Sequence, residues 1–371
     1  MFTKTTIHNR LLSSSIIFSF PFLLFAGFFE ESSEYKGNQF SVALPETPSL
    51  ALTKTPSVAS PETPSLISKK VPLLNLIAPG TKIGTWVWQR QCVVDPWERA
   101  LMLDFCRSHG INCLFVQVHF DRTEYGDYVL ADQESWNDLL SAANDLGIRI
   151  EALDGAGDMA FSVNHADGID RLKAVLDFNR SQPLNARFSG IHYDIEPYTT
   201  SRWRSGEHRE VALELLELLS KLRQIVSEAD PSLSFANDIP FWYDSDEKFL
   251  IEFNGAEKYL NEHIQDISDF IGIMSYRTNM TGENSTSEIS SGELDYGAKI
   301  GRPVYLSLET VELADTPQIT FFGKSPEVVA LAVRELSAAL KDDSSFGGVF
   351  LHEYTGLRLL GDPWDLSSIN F

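Results

Sequence analysis

Eight short apolar runs recur from Ile83 onward, each followed by a longer stretch with helical spacing, and this alternation restricts the fold more than any other feature of the chain. The runs cover 83–88, 112–118, 148–153, 188–195, 233–237, 270–275, 304–308 and 348–352. Between them lie 96–109, 133–146, 166–179, 207–228, 248–267, 287–300 and 326–340. In 207–228 the residues Val211, Leu215, Leu218, Leu222 and Ile225 fall at the three-and-four spacing of one buried helix face. Asp95-Pro96 and Ser325-Pro326 are cap-then-proline starts, and Gly110 and Gly147 close helices before strands. Eight strands alternating with helices predict an α/β protein built as a single (β/α)8 TIM barrel. A doubly wound open sheet is the alternative, but no glycine-rich phosphate loop follows the first run.

The barrel is expected to occupy residues 76–371, about 295 residues, behind two N-terminal segments. Lys4 and Arg10 precede an apolar run at 11–29, and Glu30 and Glu31 follow it, which is the layout of a signal peptide or a signal anchor within residues 1–29. Leu24 or Phe25 stands where a cleavage site needs a small side chain, so retention as a single-pass membrane anchor stays open. Either way the remainder is expected outside the cytoplasm, secreted or tethered. Residues 30–75 are rich in Ser, Thr and Pro and repeat Pro-Glu-Thr-Pro-Ser-Leu at 45–50 and 61–66, the composition of a disordered linker. The chain carries 30 basic against 52 acidic residues, a formal net charge of -22, which argues against nucleic acid and anionic membrane surfaces as partners. Cys92, Cys106 and Cys113 have no metal spacing, and Cys113 reads as a small core residue. A bridge from Cys92 to Cys106 or Cys113 is open in an oxidising compartment.

The fourth run carries the chemistry. Strand alternation in Phe188-Ser189-Gly190-Ile191-His192-Tyr193-Asp194-Ile195-Glu196-Pro197 puts Ile191, Tyr193 and Ile195 on one face and His192, Asp194 and Glu196 on the other. Pro197 ends the strand and leaves Glu196 at its carboxyl end, where barrels gather their active-site residues. The other strand ends add Trp86, Trp88, Gln117, His119, Asp154, Asn237, Asp238, Trp242, Tyr276, Arg277, Glu309, His352 and Glu353. Aromatic plates among carboxyl and amide groups suit sugars, whose C–H faces stack while their hydroxyls hydrogen-bond. Glycoside cleavage needs a carboxylic acid of raised pKa, and Asp194 two residues before Glu196 would raise it by its charge. An oligosaccharide or polysaccharide substrate, no cofactor and a monomer are expected.

The motif Ser189-Gly190-Ile191-His192-Tyr193-Asp194-Ile195-Glu196 resembles the fourth-strand signature Asp-x-x-Asp-x-Asp-x-Glu of family 18 glycoside hydrolases, the chitinase-like enzymes. Ile273-Met274-Ser275-Tyr276 is similar to their sixth-strand Met-x-Tyr. The resemblance implies Glu196 as the acid, Asp194 as the residue that holds a substrate acetamido group, and Tyr276 as a substrate contact. Ser189 and His192 stand where that signature has its first two Asp residues, and His352-Glu353-Tyr354 replaces the usual final-strand Trp. Two other readings use the same residues. Glu309, ending the seventh strand, is placed as the nucleophile of the large retaining glycosidase clan would be. His192, Asp194 and Glu196 with His119 or His352 offer nitrogen and oxygen ligands for metal-assisted hydrolysis, although no metal-binding spacing supports them. A carbohydrate-binding barrel without turnover is the non-enzymatic alternative.

Overall fold

A computed structural model describes residues 82–360, so the expected signal or anchor and the linker lie outside the described residues. Eight parallel strands close into a barrel: β1 (Ile83–Val87), β2 (Cys113–Gln117), β3 (Arg149–Asp154), β4 (Gly190–Tyr193), β5 (Ser234–Pro240), β6 (Phe270–Met274), β7 (Val304–Glu309) and β8 (Phe346–His352). They follow one another around the barrel in chain order, and β8 returns to pair with β1 through Ile83 opposite Val349. The helices α1 (Pro96–Ser108), α2 (Gln133–Asp145), α3 (His165–Ser181), α4 (His208–Ala229), α5 (Leu260–Ile267), α6 (Ser291–Ile300) and α7 (Pro326–Ala339) alternate with them. The open-sheet alternative is thereby excluded. Among the described residues no helix is long and apolar enough to cross a membrane.

Period-two alternation sorts every strand into an outward set packed on helices and an inward set filling the barrel. Ile191, Tyr193 and Ile195 join the outer core with the Leu and Val faces of the helices. Trp86, Cys113, Phe115, Leu153, Ala236, Phe270, Tyr305 and Phe350 form the inner cluster. Each of α1 to α4 begins and ends within two residues of its sequence expectation. The stretch 248–267 does not form one helix. Leu250–Phe253 and Ala256–Tyr259 pair antiparallel around Asn254 (φ 51°) and Gly255 (φ 79°), and only then does α5 begin. Asn-Gly takes the left-handed conformation at both central positions of a tight hairpin turn, and that local preference overrides the helical spacing. A second hairpin, Phe120–Arg122 with Tyr128–Leu130, follows β2 at the carboxyl end of the barrel. All three cysteines are buried and free, so no bridge joins Cys92 to Cys106 or Cys113.

Gly190 is the inward residue at the start of β4. A Cβ there would lie 1.9 Å from Ser234 Oγ and 3.0 Å from Glu151 Oε1, so only glycine admits these two polar groups beneath His192. The substitution Gly190→Ala is expected to cost about 1–3 kcal/mol in stability by overpacking. Urea unfolding would show it as a lower midpoint at an unchanged slope.

Candidate active site

The inward residues of β3, β4 and β5 meet in a buried charge chain. His192 is fully buried, with Nδ1 3.1 Å from Glu151 Oε2 and Nε2 2.9 Å from Asp238 Oδ2. Ser234 Oγ donates to Glu151 Oε1 at 2.7 Å, and the Trp86 indole N–H donates to Asp238 Oδ2 at 2.8 Å. The His192 ring stacks on Phe115 at 4.0 Å. Burial opposes a charge on His192, but the Asp238 and Glu151 carboxylates outweigh it and push the imidazole up to about 10. Both ring nitrogens therefore carry protons at neutral pH, and neither has a lone pair to offer a metal ion. Among the described residues no group of three or more His, Cys, Asp and Glu side chains is arranged to hold a metal.

Above this chain, at the carboxyl end of β4, sit Asp194 and Glu196. The Asp194 N–H continues the ladder to the Asp154 carbonyl at 3.0 Å, one residue beyond the end of β4. Gly155 makes that approach possible, since a Cβ there would fall 2.0 Å from the Asp194 carbonyl oxygen. The Tyr198 phenol donates to Glu196 Oε1, and Tyr198 packs edge-on against Trp242 at 5.2 Å. Burial raises Glu196, Asp238 adds to the rise, and Tyr198 and His352 counter it. Asp194 is raised well above the usual carboxylate range, by burial first and by the Glu196 and Asp238 charges next. The rise expected at Glu196 from the Asp194 charge has burial as its larger cause. Each of the two neighbouring carboxyls disfavours charge on the other, so the pair holds its protons to higher pH than isolated carboxyls would. Among the described residues Asp194 Oδ1, Asp238 Oδ1 and Tyr243 Oη are buried with no hydrogen-bond partner.

A second histidine faces the pair from β8. His352 Nδ1 lies 2.9 Å from Glu309 Oε2, and its ring lies 5.9 Å from that of Tyr276 and 5.5 Å from that of Trp86. Burial disfavours its charge, and Glu309 overrides this to push His352 up to about 9. The Trp88 indole N–H also points at His352 Nε2, a contact that wants the neutral ring. At 3.3 Å it is the weaker of the two demands, and the imidazolium prevails.

The structure redistributes the remaining sequence candidates. Gln117 and Trp88 reach the mouth, and His119 lies at its edge, where burial and Arg90 lower its pKa. Trp86 is 2% exposed and serves as a donor to Asp238 rather than an open sugar plate. Asn237 points outward by alternation with Asp238 and donates to Ser268 Oγ at 2.8 Å. Asp154 is held by Arg171 and the Gly155 N–H. Arg277 spans the Tyr276 carbonyl and Asn284 while covering Phe241. Glu353 accepts from Gln89 at 3.0 Å and from the Gly356 N–H at 3.1 Å. Glu309 is fully buried and accepts the Thr310 and Val311 N–H groups at 2.8 and 2.7 Å in addition to its His352 contact. Sequence reasoning missed Glu151, Ser234 and Gln89. For Glu151 a signal exists, since Arg149 and Glu151 alternate as charges in an otherwise apolar strand and therefore share its inward face.

A closed eight-stranded barrel with the carboxyls of Asp194 and Glu196 at its mouth, both raised in pKa and set above the buried His192, is what this geometry defines. No protein-family model and no curated protein matches the sequence. The structure is similar to a GH18 chitinase from Pseudoalteromonas aurantia, with 14% identity over 76% of this chain and 97% of that one and a TM-score of 0.49. It is also similar to a chitinase from Chromobacterium violaceum (13%, 75% and 98%, TM-score 0.46). A β-mannanase from the blue mussel Mytilus edulis gives 13%, 78% and 94%, with a TM-score of 0.43. The barrel assignment rests on the strand pairing described above and not on these likenesses.

Replacing His192 by Gln leaves Glu151 and Asp238 buried without their cation, an expected loss of about 3–5 kcal/mol. Because the folded pKa lies above the ordinary 6.5, this stability is complete below pH 6.5 and is lost as pH rises towards 10. Unfolding of wild type and His192→Gln across pH 5.5–9.5 checks it, and the gap between them should narrow at the alkaline end.

Proposed function

We propose that the barrel is a glycoside hydrolase in which Glu196 protonates the leaving oxygen of a glycan. The observation that carries the reading is the Asp194–Glu196 pair: half-buried at the strand-four end, steadied by Tyr198, and raised in pKa by burial. In the reaction the Glu196 proton passes to the glycosidic oxygen as the bond from that oxygen to C1 breaks, and the leaving sugar departs with a hydroxyl. Asp194, with Oδ1 free of partners among the described residues, is suited to accept a hydrogen bond from a substrate N–H or O–H next to C1. Tyr276 and Trp88 supply contact surface at the mouth, and Trp242 braces Tyr198. We assign Glu309 to orienting His352 and not to attack on C1, because its carboxylate is buried and occupied by two backbone N–H groups and an imidazole. Electron density for C1 then comes from the substrate's own acetamido oxygen or from water. Residues 11–29 would carry the barrel out of the cytoplasm, cleaved or as an anchor.

Hydrolysis of aryl glycosides and oligosaccharides, N-acetylated and not, tests this with Glu196→Gln alongside. Turnover should fall on the order of a hundredfold or more in the variant. Activity should also decline as pH rises through the raised pKa of the pair, since the acid must be protonated. An unaffected variant rules out Glu196 as the acid. Glycan binding without turnover on any substrate would favour the non-catalytic carbohydrate-binding reading.

A further inference from the structure

At the opposite end of the barrel from the mouth, the amino ends of the strands border an open cavity of about 270 Å³. Lys82, Asn112, Arg149 and Tyr305 line it, with the Phe350 ring behind. Its lining side chains are rich in hydrogen-bond donors. At neutral pH the ammonium of Lys82, the guanidinium of Arg149, the amide of Asn112 and the phenol of Tyr305 all donate hydrogen bonds. Among the described residues Arg149 Nη2 makes one long side-chain contact, to Cys113 Sγ at 3.9 Å, and the buried Glu151 carboxylate lies close enough to act on its charge. Among the described residues no carboxylate lines the cavity, in a chain with 52 acidic and 30 basic residues. That combination is unusual, because most arginines described elsewhere in the barrel, such as Arg90, Arg171, Arg202 and Arg223, are paired with an Asp or Glu. The back wall is rigid: Tyr305 and Phe350 stack at 4.3 Å with an 8° angle between their rings.

We propose that this floor cavity binds a small oxyanion-bearing ligand, a phosphate or a carboxylate, between Arg149 and Lys82. Arg149 offers a planar fork that matches two oxygens, Lys82 adds a point charge, and Asn112 and Tyr305 complete the donors. The Tyr305–Phe350 wall leaves room for an apolar or sugar-sized body attached to the anion. The site lies on the inward face of β3 with Glu151 two residues above Arg149, and it is separate from the carboxyl pair. The inference therefore stands whether or not the barrel hydrolyses glycans.

Isothermal titration of the full chain with inorganic phosphate, and separately with acetate, reads the site directly, with thermal melting as a second readout. Saturable binding of at least one anion is expected, with the preferred anion identifying the ligand chemistry. Arg149→Met and Lys82→Met should each weaken it at least tenfold, and Glu196→Gln should leave it unchanged. If Arg149→Met fails to fold, Lys82→Met, at an exposed position, carries the comparison alone. Absence of saturable binding by both anions, or equal binding in the Lys82 and Arg149 variants, overturns the proposal.

Discussion

The contact on which this barrel depends is the imidazolium of His192 held between Glu151 and Asp238. Two carboxylates inside a closed barrel are tolerated only where a cation and further donors meet their oxygens. His192 supplies the cation, Ser234 and Trp86 supply the donors, and Gly190 supplies the space. Removing His192, Ser234 or Trp86 takes a partner from a buried carboxylate oxygen, which is more costly than the small net gain of a satisfied hydrogen bond. Trp86, Glu151, His192, Ser234 and Asp238 come from β1, β3, β4 and β5, so the charge chain ties together half the strands of the barrel.

What this chain supports is the electrostatics of the mouth. Asp194 sits two residues above His192 on the same face, between the His192 cation below and the His352 cation on β8. Both lower its pKa, and neither offsets the effect of burial and of the Glu196 and Asp238 charges. The result is a pair that keeps a proton where an isolated carboxyl would have lost it. Glu309 does for His352 what Glu151 and Asp238 do for His192. The barrel thus carries two carboxylate-bound imidazoles, one buried beneath the Asp194–Glu196 pair and one beside it.

Much of this could be read from the residues before the fold was known. The eight apolar runs point to the barrel because their period and spacing leave few other closed arrangements, and alternation along 188–195 put His192 on the inward face, while Asp194 and Glu196 fall in the loop just past the end of β4. Alternation failed where it was not applied: Asn237, next to Asp238, had to face outward. Trp86 was taken for an open plate because its strand position says which way it points and nothing about what covers it. Glu309 showed the same gap, since the backbone N–H groups and His352 that occupy it come from chain folded around it. The hairpin at Asn254-Gly255 was legible in principle, as Asn-Gly is a strong turn signal, but the apolar spacing around it is equally compatible with a helix.

The charge state of His192 tests the account most directly. Nitrogen NMR of histidine-labelled protein, assigned by comparison with His192→Gln, reports whether each ring nitrogen bears a proton. The account predicts that both His192 nitrogens are protonated at pH 7.5, when an ordinary histidine is largely neutral. A single unprotonated nitrogen at that pH would contradict it, and with it the claim that a buried cation underlies the carboxyl pair.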